Sequence, residues 1–236
     1  MRSDEAPPPD ERPAEAAKSF DPLRFVKENT RVLAPPLVPE LSLHLAEESL
    51  PIWLKTEEEL HKANIDPPYW AFAWAGGQAL ARYVLDHPEL VANKRVLDLG
   101  SGSGLVAIAV GRGGASAVMA SDVDPLALAT ISLNAALNGV TLETTGLDLL
   151  AAPPERYDVI TVGDLFYEAP LARRVLAFID EASATGAEIL VGDPRRSYFP
   201  VDRFEKLAEY SVPVTRQLED AETKKTAIWR LKPAEA

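Results

Sequence analysis

The sequence predicts an α/β fold: a doubly wound parallel sheet with helices on both faces, an antiparallel hairpin at one edge and a small N-terminal cover. Three observations predict it. From Arg95 onward, strand-like and helix-like hydrophobic patterns alternate with short breaks, the order that a parallel sheet requires. Three glycines at alternate positions, Gly100, Gly102 and Gly104, follow the first strong strand pattern. At the far end of the chain two strand patterns succeed each other with no helix between them, which implies an antiparallel pair.

Residues 1–19 are read as a disordered tail, because MRSDEAPPPDERPAEAAK is charged, proline-rich and almost without large apolar residues. Its lack of an apolar stretch excludes a secretory signal, and its acidity does not suit a transit peptide. Residues 20–69 form the cover. Phe20, Leu23, Phe25 and Val26 suggest a short helix opened by Asp21 and Pro22. Leu41, Leu43 and Leu45 alternate with Ser42 and His44 as in a half-buried strand, and Glu57–Ala63 suits one or two helical turns.

The main domain is placed at residues 70–236. Helical spacing runs from Gly76 to Asp86, Arg95–Leu99 reads as a strand, and Gly104–Val110 as a helix ended by Gly111, Gly113 and Gly114. Ala117–Ser121 is the next strand, and Pro125–Asn138 a long helix stopped by Gly139. Leu142–Thr145 is a weak strand, Tyr157–Gly163 a strong one, Ala169–Ser183 a helix, Glu188–Val191 a strand and Asp202–Tyr210 a helix. Strands around Val212–Gln217 and Thr226–Leu231 close the chain.

Composition narrows the chemistry. The chain of 236 residues has a net charge of −12, which disfavours a nucleic-acid backbone as partner. It has no cysteine, so thiolate metal sites and cysteine nucleophiles are excluded, and His44, His61 and His87 lack a paired-ligand spacing, so no metal is expected. No apolar run is long enough to cross a bilayer, and no membrane role is expected.

Open α/β sheets bind ligands outside the carboxyl ends of their strands, which directs attention to Asp98-Leu99-Gly100-Ser101-Gly102-Ser103-Gly104. A phosphate loop of the Gly-Lys-Ser/Thr type is absent. Gly102-x-Gly104-x-x-Ala107 does satisfy the dinucleotide fingerprint, so pattern alone leaves an NAD-dependent oxidoreductase open. Charge discriminates: a carboxylate at the loop's entrance repels a pyrophosphate, whereas the ammonium and sulfonium of S-adenosylmethionine favour Asp98. Asp122, about 20 residues further on, suits a pair of ribose hydroxyls. Asp148, in Gly146-Leu147-Asp148, suits an adenine amino group. The structural alternatives are helix capping for Asp98 and Asp122, and a turn for Asp148.

The run Val96-Leu97-Asp98-Leu99-Gly100-Ser101-Gly102-Ser103-Gly104, with Ser121-Asp122-Val123-Asp124-Pro125, resembles the class I methyltransferases. That resemblance implies a Rossmann-like seven-stranded sheet of order 3-2-1-4-5-7-6. Pro68-Tyr69-Trp70-Ala71-Phe72-Ala73-Trp74-Ala75-Gly76-Gly77-Gln78 and Gly163-Asp164-Leu165-Phe166-Tyr167 resemble the protein-lysine methyltransferases with an Asp-x-x-Tyr motif after strand four. Within these the pattern is similar to enzymes acting on the electron transfer flavoprotein β subunit, and Val191-Gly192-Asp193-Pro194-Arg195 fits too; Ala75 departs from the family's proline. A bacterial, cytoplasmic form acting as a monomer is expected, with ribosomal-protein methyltransferases of the L11 or L7/L12 type as neighbours.

The resemblance implies cofactor contacts at Trp74, Asp98, Gly100, Ser101, Gly102, Asp122, Val123, Asp148, Gly163 and Asp164. It implies that Asp164 orients the substrate amine, Tyr167 shapes an aromatic slot and Glu168 draws in the ammonium or receives its proton. Trp70 and Trp74, four apart, would share a helical face and pack, while Arg195 and Arg196 read as a solvated loop.

Overall fold

The computed structural model describes residues 20–46, 67–214 and 221–233. The tail, the turns expected at Glu57–Ala63 and the stretch through Gln217 lie outside them. A seven-stranded sheet dominates. Helix α1 (Pro22–Asn29) and strands β1 (Arg31–Leu33) and β2 (Leu43–Leu45) precede it. The remainder runs α2 (Ala75–Asp86), β3 (Arg95–Leu99), α3 (Leu105–Arg112), β4 (Ala117–Ser121), α4 (Pro125–Leu137), β5 (Glu143–Thr145), β6 (Val159–Gly163), α5 (Ala169–Ala184), β7 (Glu188–Asp193), β8 (Phe204–Pro213) and β9 (Thr223–Leu231).

The strands lie in the order β5-β4-β3-β6-β7-β9-β8. Counted from β3 as the first, that is the order 3-2-1-4-5-7-6. Five strands are parallel, while β9 pairs antiparallel with both β7 and β8. The central strands are buried on both faces, so they read as nearly unbroken apolar runs. Their alternation still sorts the two cores. Val96 and Val159 pack with α2 and α3, whereas Leu97, Leu99, Ile160 and Val162 pack with Val175, Phe178 and Ile179 of α5.

The cover is welded to the domain. Asp21 caps α1, accepting from Leu23 N at 3.1 Å and Arg24 N at 3.2 Å. Val38, Leu41 and Leu43 are fully buried in the core that α2 and α3 share with the sheet. Asn134 of α4 is the polar tie: its Oδ1 accepts from His44 N at 2.6 Å, and its Nδ2 donates to Ser103 O at 2.8 Å. One amide therefore joins β2 to the glycine-rich turn.

Two expectations fail. Residues 202–210 are not a helix: a single 3-10 turn, Val201–Arg203, leads straight into β8. A register shift between Lys206 and Ala208 inserts an extra residue opposite β9. The bulge breaks the two-residue alternation and leaves Phe204, Leu207 and Ala208 at a spacing that imitates a helix. Trp70 and Trp74 pack into one cluster, as expected, but not from a shared helical face. Trp70 sits in the 3-10 turn Tyr69–Ala71 with its side chain fully buried, and Trp74 is the residue before α2.

Candidate active site

The sheet reverses direction of growth between β3 and β6, and a crevice opens there at the carboxyl ends of the strands. Phe72, Trp74, Gly77, Asp98, Gly100–Ser103, Leu105, Val106, Gly163 and Asp164 line it. The glycine-rich turn forms its floor. Gly100, Gly102 and Gly104 have φ of 65°, 55° and 81°, a left-handed path that a side chain would strain. A Cβ at Gly100 would also meet Leu165 at 2.8 Å.

Asp98 holds this turn from beneath. Its Oδ1 accepts from Thr161 Oγ1 at 2.8 Å, and its Oδ2 accepts from Ser101 Oγ at 2.5 Å and Ala107 N at 3.2 Å. Ala107 stands in the first turn of α3, so the carboxylate caps that helix and fixes the loop, as the capping alternative has it. Burial pushes its pKa up to about 6, against the three hydrogen bonds that pull it down. Asp122, at the end of β4, accepts from Gly102 N at 2.9 Å and Asp124 N at 3.0 Å, with burial again raising its pKa. Val123 beside it is 65% exposed at the rim.

Asp148 makes the contacts of a turn residue. It is exposed, accepts from Leu150 N at 3.2 Å to cap a 3-10 turn, pairs with Arg174 at 2.5 Å and does not line the crevice.

Across from the loop, Asp164 follows β6 with a φ of 56°, a left-handed conformation that asparagine and aspartate tolerate better than most residues. Its Oδ1 accepts from Arg196 Nε at 2.9 Å and Nη2 at 2.7 Å, and its Oδ2 accepts from Gly77 N at 3.1 Å at the start of α2. Arg196 is therefore no solvated loop residue. Its guanidinium is four-fifths buried and stands 5.8 Å from the Trp74 ring centroid. Its backbone N–H donates to Asp193 Oδ1 at 2.7 Å. Asp193 is fully buried with Oδ2 lacking a hydrogen-bond partner, and burial together with Asp164's charge pushes its pKa up to about 7.

A row of rings continues outward. Tyr69 lies 5.9 Å from Trp74 and 5.5 Å from Tyr167, whose side chain is partly exposed at the mouth. The Trp74 indole donates to Tyr69 O at 2.9 Å, which fixes its orientation. Glu168 is exposed just before α5 and its side chain makes no cap. Of the residues singled out from the sequence, Asp164 lines the crevice and Tyr167 packs against Tyr69, while Tyr69, Arg196 and Asp193 were not singled out as site residues. The only local signal for the last two was an Asp-Pro-Arg-Arg turn after a strand.

The raised carboxyl groups, Asp98 and Asp193 most of all, make stability fall with pH. An unfolded aspartate titrates near 3.9, so between about pH 4 and 7 the folded chain keeps protons that the unfolded chain has lost. The stabilisation is present at low pH and is lost as pH rises through about 6 for Asp98 and about 7 for Asp193. Each group's share changes by at most ~1.4 kcal/mol per pH unit. Urea unfolding between pH 5 and 8 tests this: Asp193→Asn is expected to gain on the wild type as pH rises, and a constant difference would contradict it.

Comparison with known proteins gives the geometry a context. The family described as "Ribosomal protein L11 methyltransferase (PrmA)" matches residues 78–183. The chain is 37% identical over 219 residues to the rat electron transfer flavoprotein β subunit lysine methyltransferase, covering 89% of this chain and 84% of the rat protein. A Geobacter sulfurreducens ribosomal protein L11 methyltransferase is 39% identical over 126 residues, 52% of this chain and 40% of that protein. The structure of magnesium protoporphyrin IX methyltransferase from Synechocystis PCC 6803 with bound SAM shares the fold, with a TM-score of 0.50 and 16% identity over 77% of this chain and 88% of that one. The seven-stranded order, the crevice at its switch point and these relatives agree: the chain is a methyltransferase and belongs to the electron transfer flavoprotein β subunit lysine methyltransferase family.

Proposed function

We propose that this methyltransferase draws on S-adenosylmethionine and methylates a lysine side chain of an electron transfer flavoprotein β subunit. The observation that carries the reading is Asp164, fixed in the crevice opposite the glycine-rich turn, where a row of aromatic rings leads outward to Tyr167. The donor set suits the cofactor. Among the described residues the charged side chains that line the crevice are Asp98 and Asp164, and since Arg196 pairs with Asp164, it is the carboxylate of Asp98 that favours a cationic adenosyl donor over a diphosphate. Gly100–Ser103 and Gly163 would hold it, with Asp122 beside the turn; when bound it supplies an electrophilic methyl group.

The chain's own task is the nucleophile. A lysine of pKa about 10.4 is almost wholly protonated near pH 7.4, a deficit of roughly 4 kcal/mol for the neutral amine that must attack. The Tyr69, Trp74 and Tyr167 rings suit the aliphatic stem, and Asp164 accepts a hydrogen bond from the amine and so aims its lone pair into the crevice. Exposed Glu168 adds negative charge at the mouth.

The test is direct. Purified protein is incubated with labelled S-adenosylmethionine and, separately, an electron transfer flavoprotein and the ribosomal proteins L11 and L7/L12. Mass spectrometry is expected to find methyl increments on lysines of the flavoprotein β subunit. Label on a ribosomal protein alone would replace that substrate. The L11 likeness spans only the part of the chain around the crevice, so it supports a shared cofactor site more than a shared substrate.

A further inference from the structure

We infer that Arg196 is a positioning residue for the transfer: a permanent cation at Asp164 that makes the substrate lysine bind as the neutral amine. The inference rests on the lysine reading above. Two contacts place the charge. Arg196 Nε and Nη2 both reach Asp164 Oδ1, at 2.9 and 2.7 Å. Its guanidinium also stands over Trp74, 5.8 Å from the ring centroid, on the inner end of the aromatic row.

The placement is built. Asp193 Oδ1 accepts from Arg196 N at 2.7 Å, and the intervening Arg195 takes a φ of 67°, so the turn after β7 folds back and delivers the side chain inward. The Arg196 side chain is four-fifths buried and its partner carboxylate more so, where the charges are less screened than at the open surface. An arginine does not give up its proton at any working pH.

A lysine that reaches Asp164 along the rings therefore meets a site whose carboxylate is already balanced. An ammonium there would stand beside the Arg196 guanidinium, and like charges at that range favour the neutral form of the one able to titrate. The other titratable groups around the position are Asp98 across the crevice, Asp193 behind the turn, the phenols of Tyr69 and Tyr167, and Glu168 at the mouth. The proton is lost to solvent as the side chain enters. Asp164 then orients an amine rather than pairing with an ammonium.

The experiment reads proton release without turnover. Binding of the flavoprotein β subunit to the protein loaded with S-adenosylhomocysteine, whose sulfur is neutral, is followed by calorimetry in buffers of different ionisation enthalpy near pH 7.5. The release seen with a substrate whose target lysine is methionine is subtracted. The wild type is expected to release most of one proton per lysine. Arg196→Gln is expected to release less than half as much, and the acid limb of its turnover profile to move up by about one pH unit. Arg196→Lys is expected to keep both near the wild type, at a lower rate. A wild type that takes up its lysine with no proton released overturns the inference whichever variants fold. So does an Arg196→Gln variant slowed equally at every pH with its proton release intact. If the wild type methylates no lysine at all, the underlying reading fails as well, and that outcome is distinct from the other two.

Discussion

Replacing Asp164 with asparagine is expected to reduce methyl transfer by at least about 100-fold while leaving the backbone in place. The residue occupies a φ of 56°, where asparagine is at home, so the turn after β6 keeps its course. What disappears is the charge. Arg196 loses its anionic partner, the substrate amine loses its strongest acceptor, and the crevice loses one of its two lining carboxylates. Removing one member of a largely buried pair destabilises the fold, by ~1–3 kcal/mol given that the guanidinium keeps about a fifth of its surface in water. Asp164→Ala should lose transfer to the same degree and about 1 kcal/mol more stability, because alanine resists the left-handed conformation. Mass spectrometry of the substrate and thermal unfolding, run on both variants, separate the two effects. An asparagine variant that turns over at the wild-type rate would remove Asp164 from the chemistry.

The second large effect is structural. A Cβ added at Gly192, near the end of β7, would stand 2.2 Å from Gly76 O and 2.8 Å from Leu80 Cβ. A Cβ at Gly76 would stand 2.2 Å from Gly192 O and 2.5 Å from Asp164 Oδ2. The first turn of α2 thus rests on the sheet backbone to backbone, and neither side is a flexible tip that swings away. Gly192→Ala is expected to destabilise the protein by ~3 kcal/mol or more, a fall of roughly 6–12 °C in the unfolding midpoint. In whatever fraction folds, α2 is pushed outward and Gly77 N is drawn from Asp164, so transfer should drop beyond the loss of folded protein. A midpoint within 2 °C of the wild type would show that the contact relaxes freely.

The elements with strong local signals were legible. Arg95–Leu99 and Ala117–Ser121 have the bounds that their apolar runs suggest, and Pro125 and Gly139 mark the two ends of α4 because one presets a helical φ and the other accepts a left-handed one. The failures share a cause. At β8 one inserted residue shifts the alternation, and the result is indistinguishable from helical spacing until β9 is there to define the register. Arg196 looks like a solvated loop charge because its partner, Asp164, is 32 residues earlier and meets it only through the pairing of β6 with β7. Asp98 lines the crevice and also caps a helix, two placements that the same spacing after a strand produces. Asp148 had the same ambiguity, and it caps a 3-10 turn while pairing with Arg174.

Asn134 gives the molecule a property that no single element has. Its amide grips β2 on one side and the turn at Ser103 on the other, so the shield over the domain and the cradle at the floor of the crevice are tied through one side chain. Should a ligand at the cradle change the affinity of the shield for a partner by some factor, that partner changes the ligand's affinity at the cradle by the same factor.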